Sequence, residues 1–230
     1  MSKATERLYL RGDPPIEVHL RRSARAVRLS LRVSRLDGTV TMSLPETVPQ
    51  RTAEKFLAQK AAWVRQNVAE GPRPWVPALG DTMPVEGRDC RIVAGRPGLS
   101  DREIRVDPRR SVPPQIAALL KARARDRLAP ACDRYARAVG RDYARLTLRD
   151  TRSRWGSCTS GGNLMFSWRL AMAPAEILDY VAAHEVAHLV HMNHSTRFWQ
   201  LVGRLCPGYA DHRAWLRGPG RDLHAARFRA

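Results

Sequence analysis

Four of the chain's seven histidines fall within eleven residues, HEVAHLVHMNH, from His184 to His194. No other stretch constrains the fold as tightly. It lies inside AEILDYVAAHEVAHLV, where Ile177, Val181, His184 and His188 recur at helical spacing, and Pro174 suits the first turn. Residues four apart on a helix share a face, roughly 5–6 Å apart at Cβ. Two imidazoles in that relation can bind one tetrahedral metal, with nitrogens about 2.0–2.1 Å from the ion. Glu185 projects beside them, where a carboxylate can accept a proton from a water on the metal.

Two ligands leave a tetrahedral ion short of partners. His194, six residues beyond His188, is too far along to chelate if the helix continues. The chain must therefore turn, and Asn193 tolerates the left-handed conformation that ends helices, while Ser195 suits the cap of the next one. His194 is the first choice as third ligand. His191 and an acidic residue from elsewhere are the alternatives. Three histidines leave one coordination position for water, which favours a catalytic over a structural site.

Around this segment the chain reads as α+β. Alternation over Arg25–Arg35, with Val27, Leu29, Leu31 and Val33 on one side, predicts a half-buried strand whose outer face carries arginines. Asp37-Gly38 predicts a hairpin into a strand over Val40, Met42 and Leu44. Ala53, Phe56, Leu57, Lys60 and Val64 predict a helix over about 49–70, closing near Glu70-Gly71-Pro72. Short strands are expected at 83–86, 90–94 and 103–106. DPRRSVPPQ (107–115) reads as a boundary, giving a β-rich region at 1–110 and a second domain at 111–230. There a long helix over 114–139, a strand at 145–149 and an apolar strand at 164–172 precede the histidine helix; two further helices follow, near 195–205 and 209–216.

Composition narrows the setting. Forty Lys+Arg against 22 Asp+Glu give a net charge of +18, which keeps a nucleotide or nucleic-acid partner open. The arginines are dispersed, and no single basic block marks a groove-binding helix. The N-terminus has no apolar run of signal-peptide length and no segment approaches the ~20 apolar residues of a membrane span, so a cytoplasmic chain is expected. Cys90, Cys132, Cys158 and Cys206 form no CxxC pair and are expected to be reduced thiols.

SRWGSC (153–158), NLMFSWRL (163–170), DYVAAHEVAHLVHMNHSTRFW (179–199) and PGYADHRAWL (207–216) resemble the YgjP-like metallopeptidase domain, a zincin-type group akin to SprT. RLSLRVSRLDGTVTMSLP and the helix ending KAAWVRQ resemble that family's leading half. The resemblance implies a β-rich N-terminal half followed by a zincin-like metallopeptidase domain, with Zn2+ on His184, His188 and His194, Glu185 as the catalytic glutamate and a peptide or protein as substrate. In zincin folds the strand before the active-site helix commonly pairs with an extended peptide, which would give 164–172 that role. Arg154, Tyr209 and His212 are candidates for steadying an anionic intermediate, and Trp155 and Gly156 for packing, turn or substrate contact. Two rival readings stay open: a metal-dependent phosphohydrolase acting on nucleotides, pyrophosphatase type, and a basic nucleic-acid-associated protein with a structural zinc.

Overall fold

The computed structural model describes residues 6–34, 38–70 and 74–228, and the chain divides into two compact units, Met1–Pro74 and Trp75–Ala230. The expected turn residue Asp37, the strand end at Arg35 and the helix stop at Gly71-Pro72 lie outside the described residues.

The first unit is one four-stranded sheet with helices over one face. Its strands are β1 (Arg7–Leu10), β2 (Ile16–Arg22), β3 (Ser30–Val33) and β4 (Val40–Leu44), in the order β1-β2-β4-β3. β2 and β4 run parallel, and the two outer pairings are antiparallel. The alternation in β4 is realised as expected. Val40, Met42 and Leu44 are buried, in one core with Ala53, Leu57 and Val64 of α1 (Gln50–Gln59) and α2 (Ala61–Ala69). The strand expected from Arg25 is shorter at its start. β3 pairs with β4 only from Ser30 to Val33, so Val27, lacking a ladder partner, is 93% exposed. The single helix expected at 49–70 is interrupted at Lys60, which is exposed and not a core position.

The second unit holds the histidines. β5 (Thr82–Val85), β6 (Arg88–Ala94), β7 (Gly98–Leu99) and β8 (Glu103–Val106) form a sheet in the order β5-β6-β8-β7. Read from the sequence, these strands grouped with the N-terminal half. Here their buried side chains share a core with α3 (Val112–Val139), so the compact units part at Pro74/Trp75 and not at 110/111. α3 buries Ile116, Leu120, Ala124, Leu128, Cys132 and Tyr135 and ends on Gly140 at φ +62, a left-handed cap where glycine carries no steric cost.

β9 (Arg145–Arg149), β10 (Gly156–Cys158) and β11 (Asn163–Ser167) form a three-stranded sheet in the order β10-β11-β9. Two expectations change here. The apolar strand read over 164–172 stops at Ser167, and Trp168–Met172 is a 3₁₀ segment. β11 is also the central strand, so it is not an edge that a peptide could join; β10 is an outer strand. The mistake has a physical source, since a buried 3₁₀ turn and a buried strand present the same largely apolar run, here broken by Ser167 and Arg169.

The 3₁₀ segment leads through Pro174 into α4 (Ala175–Ala187). α4 is apolar on nearly every side and buries Ile177, Leu178, Tyr180, Val181, Ala182, Ala183, Val186 and Ala187. A helix of that kind has to be surrounded, and α3, α5 (Thr196–Leu205) and α6 (Tyr209–Arg217) pack against it. Its N-terminus is pinned by the β5–β6 turn. Glu86 and Gly87 both have positive φ, +50 and +75, the pattern of a type I′ hairpin turn. Their N–H groups donate to Ala171 and Met172 carbonyls at 2.8 and 3.2 Å, and the Glu86 carboxylate accepts from Arg123 and Arg127 of α3. Among the described residues no helix is long and apolar enough to cross a membrane.

Candidate metal centre

α4 ends at Ala187, with His188 in the capping position, so its last turn carries His184, Glu185 and the start of the exit. Beyond it the N–H groups of Leu189, Val190 and His191 bond to carbonyls of Val186 and Ala187, which curls the chain tightly off the helix axis. The turn comes earlier than the sequence implied and is built differently. Among the described residues the one non-glycine with positive φ is Glu86, so Asn193 is not in the left-handed conformation expected of it. Ser195 does cap α5, its hydroxyl accepting from the Phe198 N–H at 3.4 Å.

The early turn brings His194 back to the helix. The ligand atoms of His184, His188 and His194 all lie within 4.8 Å of one another, and Nε2 of His184 and of His194 are 3.2 Å apart. Two nitrogens bound to one tetrahedral ion at about 2.0–2.1 Å would lie about 3.3–3.4 Å apart, so that spacing fits a shared ion. His188 Nδ1 is 3.0 Å from the His191 carbonyl. A carbonyl can only accept, so Nδ1 carries the proton and the Nε2 lone pair is left for a metal. His191 therefore enters through its backbone, and its ring is not part of the cluster.

The rings are held from below. Phe198, fully buried, stacks on His188 at 4.4 Å and meets His184 and His194 edge-on at 5.0 and 4.9 Å. Trp199 stacks on His194 at 5.6 Å and lies 5.6 Å from His184. Burial, with His188, His194 and Arg213 adding to it, pushes His184 down to about 3; burial and the nearby His194 likewise lower His188, against the bond to His191. Both rings are thus neutral near pH 7, the form that binds metal.

Glu185 is 5% exposed, and burial pushes its carboxyl up to about 8 against the pull of Arg154. Its position is set by β10. A Cβ built on Gly156 would stand 2.6 Å from Glu185 Cγ and Oε1, so only glycine lets this strand lie against the carboxyl group. Sequence reading left Gly156 as one of several packing or turn residues; the signal was a glycine inside a short strand. Cys158 on the same strand and Cys132 on α3 are pushed up to about 11 and 12, chiefly by burial and in part by Glu185, so both thiols stay protonated near neutral pH.

The remaining candidates separate. Arg154 is exposed and touches the site through its charge on Glu185. Tyr209 stacks on Trp199 at 5.5 Å, at one remove from the histidines. His212 faces Tyr180 at 6.1 Å, and Trp155 packs on His224 at 4.6 Å. Phe198, Trp199 and Arg213 were not singled out from the sequence as parts of the site; the spacing of Phe198 and Trp199 after the capping Ser195 was the readable clue.

A family model described as YgjP-like, metallopeptidase domain matches residues 27–218. The chain belongs to the YgjP-like family. That match spans both compact units and includes His184, Glu185, His188 and His194, so this YgjP-like chain carries a metallopeptidase domain. No curated protein matches it. Among solved structures it is similar to the metallopeptidase zymogen of Pyrococcus abyssi, abylysin, at 18% identity over 40% of this chain and 95% of that one, with a TM-score of 0.36.

Proposed function

We propose that the chain is a zinc-dependent peptidase in which His184, His188 and His194 would hold the ion and Glu185 moves the proton. The observation that carries this is the 3.2 Å approach of the Nε2 atoms of His184 and His194 beside the buried carboxyl group of Glu185, the residue after His184. When bound, zinc supplies Lewis acidity toward a carbonyl, a position for water, and positive charge that favours ionised Glu185.

The chain's own groups do the rest. Glu185 takes a proton from the attacking water and returns it to the leaving amine, the two transfers a general acid–base needs. Arg154, whose charge already bears on Glu185, favours the ionised form from which the first transfer starts and to which the second returns it. β10, an outer strand pressed against Glu185, offers backbone groups for an extended peptide to pair with, a role first expected of residues 164–172. The four free cysteines support a cytoplasmic setting.

Glu185→Gln tests the assignment. It should bind one zinc per chain like the parent and lower kcat on an unstructured peptide by roughly 10²–10⁴-fold. A fully active Glu185→Gln variant ends the proposal. Nucleoside triphosphates assayed alongside should not turn over; metal-dependent release of phosphate or pyrophosphate would move the reading to phosphoryl chemistry.

A further inference from the structure

Arg213, on α6, differs in its surroundings from two other shielded arginines of its unit, the buried Arg169 and the half-buried Arg123. Arg169 is paired with Asp150, Arg123 with Glu86. Arg213 is half-buried, yet among the described residues no carboxylate lies within ion-pair distance of it. Its guanidinium carbon instead sits 4.5 Å over the Trp199 ring. Trp199 in turn lies 5.6 Å from the rings of both His184 and His194. The cation is therefore at most about 10 Å from either metal-binding ring, within about three residues of an extended peptide at ~3.3–3.6 Å each.

An arginine resting on an indole keeps its planar fork of donors in a fixed orientation, and that fork matches a carboxylate in two parallel hydrogen bonds.

Resting on the peptidase reading above, we infer that Arg213, held on Trp199, anchors a carboxylate of the substrate, so that the preferred peptides carry one within about three residues of the bond cut. In a peptide that group is either the C-terminal carboxylate or an Asp or Glu side chain.

The test compares matched peptides with the full chain: a C-terminal acid against its amide, and an internal Asp against Asn, the C-terminus amidated. With the zinc-loaded protein one pair should show a KM lower by roughly 10- to 100-fold for the acidic member. The pair that responds identifies the source of the carboxylate. Arg213→Gln should bring that ratio close to one, and Arg213→Lys should restore part of it.

Calorimetric titration of the metal-free protein with the same peptides gives a second readout that does not depend on turnover. It should show the same preference, lost in Arg213→Gln, with the variant's melting temperature recorded as the control for folding. A merely structural Arg213 would alter all peptides alike. Equal binding of both members of each pair by the parent, or a preference surviving in Arg213→Gln, overturns the inference. If no peptide is cut, the peptidase reading fails, and the metal-free titration still decides whether Arg213 holds a carboxylate.

Discussion

Gly156→Ala probes the contact between β10 and the Glu185 carboxyl group. The new methyl carbon would stand 2.6 Å from both Cγ and Oε1 of Glu185 and 2.8 Å from Cδ. An ordinary contact begins near 3.4 Å, so the side chain must retreat by about 0.8 Å, or β10 must move by as much. Glu185 has little room behind it, because it is 5% exposed on a helix buried nearly all round. Overpacking of this kind costs about 1–3 kcal/mol. A catalytic group misplaced by about 1 Å costs roughly 100-fold in rate, so turnover should fall much further than stability. The assay pairs kcat/KM on an unstructured peptide with zinc content and thermal melting. Expected is a variant that melts a few degrees lower, binds zinc, and has lost about two orders of magnitude in kcat. Gly161→Ala, whose added carbon meets nothing nearer than 3.6 Å, serves as the control and should behave like the parent. A Gly156→Ala variant with full turnover would show that the carboxyl group does not work from the place where the structure holds it.

Three further outcomes are expected. Zinc at about 100 times its dissociation constant should stabilise the native protein by about 2.7 kcal/mol, roughly 5–10 °C in Tm, and His184→Ala should erase that shift. Arg169→Ala, removing a buried guanidinium that binds Asp150 and the carbonyls of Leu223 and Ala226, should cost about 3 kcal/mol or more by denaturant titration. Glu86 is opposed by burial, but Arg127, Arg123 and Arg88 hold its carboxyl below the ordinary 4.5, so its contribution is complete above that pH and is lost as pH falls through the lower folded value. Glu86→Gln should therefore show a shallower loss of stability on acidification below about pH 4.5 than the parent, and parallel curves would discount the Arg cluster as a determinant.

The legible parts of the fold were those where one local period decides the outcome. β4, α3 and α4 follow from alternation or helical spacing, and the pairing of His184 with His188 follows from the helix alone. The return of His194 could be inferred because a three-histidine site requires it, but the turn that delivers it could not. That turn depends on an early exit from α4 stabilised by His191 giving its carbonyl to His188, a bond between backbone and ring that leaves no mark on composition. The same limit hid the role of β10. Which strand is outermost depends on pairings between segments distant in sequence, and a long apolar run drew attention to 164–172 instead. The division at Pro74/Trp75 was missed because the sheet of β5 to β8 buries its side chains against a helix that follows it, while the Pro-rich stretch at 107–115 merely links the two.

The site also explains why α4 is so apolar for a helix that bears His184 of the histidine cluster and Glu185 beside it. His184 and Glu185 sit in its final turn, where backbone order would normally fray, and His188 caps it. Enclosure by α3, α5 and α6 holds that turn in place, and Phe198 beneath the three rings removes much of their remaining rotational freedom. His194 is different, being exposed on a segment between helices. Removing it should therefore weaken metal binding while leaving the fold intact, whereas changes to Phe198 should cost both, because the same side chain fills the core and orients the ligands. The burial that stiffens this helix is also what raises Glu185 toward 8, so rigidity of the ligands and basicity of the carboxyl group come from one packing arrangement.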